Sequence, residues 1–171
     1  RTDSGRETKM KLYYSPLACS LAAHIVLEEL GITFEREKVD LKSKRTASDA
    51  DFIAINPKGY VPVLVLDSGE TLTENIAVLD WLASEHPAIA VSGAFGRTRV
   101  LEMLTYISTE IHRSFKPMWH PSTEEEKERA RTTVSDQLQF VADHLAGPYL
   151  FGGAPSVADF YLFVMLLWAA R

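Results

Sequence analysis

Tyr13-Tyr14-Ser15-Pro16-Leu17-Ala18-Cys19-Ser20 is the stretch on which the reading of this chain turns. It holds the only cysteine of the protein. An apolar strand, Lys11 to Ser15, leads in, and an amphipathic helix, Ser20 to about Leu30, leads out. A proline with small or apolar neighbours makes the turn between them. This order puts the Cys19 sulfur near the first turn of a helix. There the unpaired N–H groups and the positive end of the macrodipole favour an anion. A thiol in that position falls from a pKa of about 8.5 into the range of roughly 3.5–7.5 and becomes a nucleophile near neutral pH. The alternative is a small buried hydrophobe, the usual role of a lone cysteine.

Outward from that stretch, composition limits the possibilities. The 171 residues make one domain or two small ones, and a hydrophobic content of 46% is enough for a core. The net charge of −5 argues against a nucleic-acid binder, which needs a basic face. The longest apolar run, Phe160 to Ala170, is about half of what a membrane span requires. A polar segment over residues 1–9 lacks a secretory signal and reads as a disordered or cloning-derived extension, with Met10 as the native start. One cysteine makes no internal disulfide, which fits a reducing, cytoplasmic setting. The five histidines show no metal-ligand spacing with one another or with Cys19, so no metal is expected.

In chain order, Met10 to Tyr14 reads as a strand. Ser20 to Leu30 reads as a helix, with Leu21, Ile25, Val26 and Leu27 as its stripe and Gly31 as its stop. Thr33 to Val39 is a second strand, Asp40 to Ser48 a basic loop, Asp49 to Ile55 a short helix or turn, and Asn56 to Gly59 a turn. Tyr60 to Asp67 is apolar enough for a strand buried on both faces. Pro62 then sits at its first position or beside a groove. Ser68-Gly69 turns the chain into a hairpin, and Thr73 N-caps a helix from Glu74 to Ser84. A linker at 86–96 follows, and everything after it reads as helix. Arg97 to about Phe115 buries Val100, Leu101, Leu104, Ile107 and Ile111. A helix begins at Ser122-Thr123 with two overlapping capping boxes and buries Ala130, Val134, Leu138, Val141 and Leu145. A last helix, from Ser156 to Ala170, is apolar all round and belongs in the centre of a bundle.

Five motifs in order resemble the bacterial beta-class glutathione S-transferases. They are Tyr13 to Leu21, Asn56-Pro57-Lys58-Gly59-Tyr60-Val61-Pro62, Leu72-Thr73-Glu74, Glu110-Ile111-His112-Arg113 and Ser156-Val157-Ala158-Asp159. The resemblance runs from Met10 to Trp168. It implies an α/β thioredoxin-like N-terminal domain over 10–85 that binds glutathione, and an all-α C-terminal domain over 97–171. It also implies a homodimer, with the helix from Glu74 to Ser84 and the helix from Arg97 in the contact.

The resemblance further implies roles for single residues. Val61 offers its backbone N–H and C=O to the cysteinyl unit of glutathione, next to a cis Val61–Pro62 bond. Glu74 and Asn75 meet the γ-glutamyl group at a helix N-terminus, and Lys44 reaches the glycyl carboxylate. Tyr60 lines the site where the family commonly has glutamine. Cys19 and His112 are the catalytic pair, and Arg113 stands where the family usually has lysine. Each residue also has a plainer reading: Pro62 as an edge proline, Glu74 as a helix-dipole carboxylate, Lys44 as surface charge, His112 as a packed histidine. Trp119 and His120 either line the second-substrate pocket or only pack. Leu17 stands where the class has glycine or another small residue, and Asn75 replaces glycine or serine. The family continues a few dozen residues past the last helix, so this fold is C-terminally short or truncated.

The function expected is conjugation of glutathione, as co-substrate, to small hydrophobic electrophiles. Thiol–disulfide exchange through a Cys19–glutathione mixed disulfide is expected beside it. The absence of a second cysteine in Cys19-Ser20-Leu21-Ala22 favours a monothiol route. The alternative is a glutathione-binding protein of the same fold with little or no turnover.

Overall fold

A computed structural model describes residues 10–171; the expected extension over residues 1–9 lies outside the described residues. The chain divides between Trp81 and Leu82 into two compact units.

The first unit is built on a five-stranded mixed sheet of order β3-β2-β1-β4-β5. Strand β1 (Met10–Tyr14) buries Met10 and Leu12 by period-2 alternation and occupies the middle of the sheet. It pairs in parallel with β2 (Phe34–Asp40), with Leu12 opposite Arg36. On its other edge it pairs antiparallel with β4 (Val63–Val65), with Leu12 opposite Leu64. β4 forms a hairpin with β5 (Thr71–Thr73). The parallel pair requires a crossover, which α1 (Leu21–Glu29) supplies. Its buried residues are Ala22, Ala23, Val26 and Leu27. The expected stripe is thus rotated toward two alanines, and Leu21 and Ile25 stay half-buried, because close helix packing selects small side chains over greasy ones. The helix stops as expected. Gly31, at φ +64°, donates to the Glu28 carbonyl and Ile32 donates to that of Leu27, which is a Schellman closure.

Three expectations for this unit are corrected. The basic loop contains a strand, β3 (Arg45–Thr46), paired antiparallel with Val39 and Asp40. The apolar run from Tyr60 contributes only Val63–Val65 to the sheet, since Pro62 has no N–H to donate. Thr73 is no N-cap. It closes β5, and Glu74, at φ +69°, turns the chain into α3 (Asn75–Glu85). Between β3 and β4 lies α2 (Phe52–Ile55), capped by the Asp51 side chain, which accepts from the Ile53 N–H. Glu37 on β2 accepts from Lys11 and the Ser48 hydroxyl, and these bonds hold its carboxyl down to about 2.

The second unit is helical. After a 3₁₀ turn, Pro87–Ile89, come α4 (Gly96–Tyr106), α5 (Lys116–Trp119), α6 (Glu124–Asp143) and α7 (Val157–Ala169). The continuous helix expected from Arg97 to Phe115 is interrupted: Ile107–His112 is π-helical. Val100, Leu104, Ile107 and Ile111 are nevertheless buried as the period demanded, while Leu101 is only half-buried. Thr123 caps α6 by accepting from the Glu126 N–H, and Glu126 accepts in return from the Ser122 N–H. In α6 Ala130, Val134 and Val141 are buried and Leu138 is half-buried, while Leu145 falls past the end of the helix and is exposed. α7 is not buried all round either. Tyr161, Val164, Met165 and Trp168 face inward, whereas Phe163 and Leu166 are 47% and 48% exposed. Apolar content gave no side to that helix; packing did.

Gly96 opens α4 with no room for a side chain. A Cβ there would lie 2.0 Å from the Val91 carbonyl oxygen. Gly96→Ala is therefore expected to cost about 1–3 kcal/mol, as overpacking against backbone does. A thermal melt with an unshifted midpoint would refute this.

Candidate active site

The turn before α1 is fixed by short-range bonds. The Ser15 N–H donates to the Ser20 hydroxyl oxygen at 3.2 Å, and that hydroxyl donates to the Ser15 carbonyl at 3.3 Å. Leu17 takes φ +62° at the bend, a conformation that costs a branched residue about 1 kcal/mol or more. Cys19 follows, and its S–H points at the Val61 carbonyl oxygen 3.6 Å away. Two candidate site residues 42 positions apart are thereby brought together.

The expectation for the Cys19 thiol is overturned. Burial pushes it up to about 11. The Cys19 and Ser20 N–H groups pull in the expected direction, but they do not offset desolvation, and the Glu74 carboxylate adds to the rise. The macrodipole is visible in a sequence, whereas the depth at which a sulfur sits is not.

Val61 belongs to a buried cluster with Val39, Phe52 and Val63, against which Tyr13 and Ala18 pack. The Val61–Pro62 bond is cis, as expected. The approach to it is held by Asn56, a buried residue that the sequence had suggested only as part of a turn. Its Nδ2 donates to the Tyr60 carbonyl at 2.8 Å, and its backbone carbonyl accepts from the Gly59 N–H. Lys44, itself at φ +57°, donates from Nζ to the Gly59 carbonyl at 2.9 Å and lies 5.8 Å from the Tyr60 ring centre. Lys44 and Tyr60 thus flank the same turn, and Tyr60 is 68% exposed.

Across the β4–β5 hairpin, Glu74 is paired with Lys58, whose Nζ also donates to the Thr73 hydroxyl at 2.8 Å. Sequence reasoning missed Lys58. Its partner lies 16 residues away, and no spacing rule connects them. Asn75 is the first residue of α3. It is only 9% exposed, and neither Oδ1 nor Nδ2 has a hydrogen-bond partner. A buried amide left so costs about 1–3 kcal/mol.

His112 and Arg113 lie in the second unit. His112 closes the π-helical segment, and burial pushes its imidazole below the ordinary value, so it is neutral at neutral pH. Its Nδ1 is 2.6 Å from the Tyr161 hydroxyl oxygen. Its ring stands edge-on to Tyr161 and Trp168, and Trp168 in turn meets Phe115 and Trp119. Arg113 is exposed. Asp159 acts structurally: it accepts from the Ser156 N–H and hydroxyl and from the Leu150 N–H, each at 2.8 Å. Among the described residues, no three His, Cys, Asp or Glu side chains group to hold a metal, and no helix is long and apolar enough to cross a membrane.

A thioredoxin-like domain with a cysteine at the first strand–helix turn, followed by an all-helical domain, defines a class of two-domain transferase folds. Residues 18–85 match the glutathione S-transferase N-terminal domain, and residues 124–171 match the C-terminal domain. The chain is 42% identical to glutathione S-transferase GstA of Escherichia coli O157:H7, over 94% of this chain and 82% of that one. The solved structure of a sphingomonad glutathione S-transferase complexed with glutathione superposes with a TM-score of 0.86 at 46% identity, covering 94% of this chain and 82% of that chain. A beta-class enzyme of Sphingomonas chungbukensis superposes at 0.82 with 44% identity and the same coverage. The chain belongs to the glutathione S-transferase family of enzymes and resembles its bacterial beta class.

Proposed function

We propose that this protein conjugates glutathione to small hydrophobic electrophiles, in a detoxifying role in the cytoplasm and as a homodimer. Residues 10–85 bind glutathione, and residues 97–171 supply the helical domain. The observation that carries the reading is the unpartnered Asn75 amide, buried at the start of a helix beside Glu74. An amide and a helix N-terminus suit the γ-glutamyl carboxylate, and the Glu74 carboxylate suits the neighbouring ammonium. The Val61 backbone takes the cysteinyl peptide beside Pro62, and Lys44 with Tyr60 takes the glycyl end. His112 belongs to the proposal as a catalytic residue and Arg113 as a glutathione-binding one.

In conjugation the glutathione thiol gives its proton to solvent water, its sulfur attacks the electrophilic carbon, and the leaving group departs with its electron pair. This chemistry does not need Cys19 as a thiolate. The protonated Cys19, now bonded to the Val61 carbonyl, is a donor available to the ligand's sulfur anion. Thiol–disulfide exchange through Cys19 belongs to the proposal as the slower activity, because it needs the form that burial disfavours.

Calorimetric titration of glutathione tests the reading. Asn75→Ala is expected to weaken binding about tenfold, the worth of a hydrogen bond to a charged group. An unchanged Kd would refute the placement. Turnover of an aryl chloride separates an enzyme from a glutathione-binding protein without turnover.

A further inference from the structure

We infer that Tyr161 is a positioning residue that holds His112 as a neutral Nε2–H tautomer, so that His112 presents a hydrogen-bond donor and not a basic lone pair. The two residues are 49 positions apart in sequence and meet at 2.6 Å, shorter than the usual N–H···O bond and at home among bonds donated by a hydroxyl. A phenol is a better donor than acceptor, and a neutral imidazole nitrogen is a strong acceptor. The favoured arrangement therefore has the Tyr161 O–H donating to Nδ1. With Nδ1 accepting, the single ring proton of the neutral imidazole belongs on Nε2.

Packing fixes the ring as well as its proton. His112 stands at 89° to Tyr161 and at 84° to Trp168, with the Trp168 ring centre 4.8 Å away. Edge-to-face contacts of this kind resist rotation of the imidazole. Tyr161 is itself buried on α7, so its hydroxyl is a stationary donor. The Nε2–H is then aimed by two rings and one hydrogen bond.

The consequence for catalysis rests on the reading above, in which His112 is a catalytic residue. A fixed, uncharged N–H lowers the energy of a sulfur anion without taking a proton from it. A general base would need the opposite tautomer. The tautomer itself does not depend on that reading.

Long-range ¹H–¹⁵N spectra of the full chain at neutral pH are expected to show His112 Nε2 protonated and Nδ1 as a hydrogen-bonded acceptor. A protonated Nδ1 would overturn the inference with no variant needed. In Tyr161→Phe the Nδ1 resonance is expected to move toward that of an acceptor without a partner. A purely packing role for the hydroxyl would leave it in place and overturn the inference. In conjugation assays His112→Gln, which keeps an N–H donor, is expected to lose about tenfold or less in kcat, and His112→Leu about 100-fold. Equal losses in both variants would mean a base and overturn the donor role. Unchanged turnover in His112→Leu, with the wild-type spectra as expected, would instead refute the catalytic role of His112 and leave the tautomer standing.

Discussion

Cys19→Ala is expected to abolish every glutathione adduct on the protein while leaving glutathione binding in place and conjugation reduced but not abolished. The adduct forms when the Cys19 thiolate attacks one sulfur of glutathione disulfide and releases the other half as a thiolate. No second cysteine can replace it. The rate follows the thiolate fraction. With the thiol near 11, that fraction at pH 7 is about one in ten thousand, against a few per cent for a free thiol. Labelling by iodoacetamide should therefore be slow at pH 7, rise about tenfold per pH unit, and level off only near 11. The sign for stability agrees: the folded state prefers the protonated thiol. Its contribution is complete below the ordinary value of 9.0 and is lost as pH rises through about 11. A labelling midpoint below that of a free thiol, with rapid adduct formation at pH 7, would reverse the burial argument.

Asp159→Ala is expected to be the most destabilising of the substitutions considered, at about 3–5 kcal/mol. One carboxylate accepts three hydrogen bonds. One comes from the Ser156 N–H at the start of α7, one from the Ser156 hydroxyl, and one from the Leu150 N–H in the preceding loop. Ser156 and Leu150 are both buried, so neither N–H finds water when the acceptor goes. Asp159→Asn keeps one acceptor oxygen and should recover part of the loss. Urea unfolding followed by far-ultraviolet circular dichroism measures both. A loss below about 1 kcal/mol for the alanine variant would show that the loop and helix find other partners.

The contrast between these two residues shows what a sequence carries. Ser156 and Asp159 sit three apart before an apolar run, so their local pairing was legible, and so were the ends of α1 and the start of α6. The third bond of Asp159, to Leu150, was not, because it joins a loop to a helix across nine residues. β3 was illegible for the same reason: two residues have no period, and Arg45–Thr46 is a strand only because Val39 and Asp40 lie beside it. For the candidate site, the motifs and the resemblance put forward Cys19, Val61, Glu74 and Asn75. The environment of each was hidden: the depth of Cys19, the hold of Lys58 on Glu74, the isolation of the Asn75 amide. Those depend on which distant atoms arrive, or fail to arrive, in three dimensions.

Asn75 has an evolutionary consequence. Water is stripped from its amide when the chain folds, before any ligand is present. On the proposed reading, glutathione supplies the missing partner, so the penalty that weakens the empty protein becomes part of the drive to bind. An apolar residue of similar volume would raise the stability of the unliganded chain and lower its affinity. Selection for a hardier fold and selection for a tighter complex therefore pull this one position toward different residues.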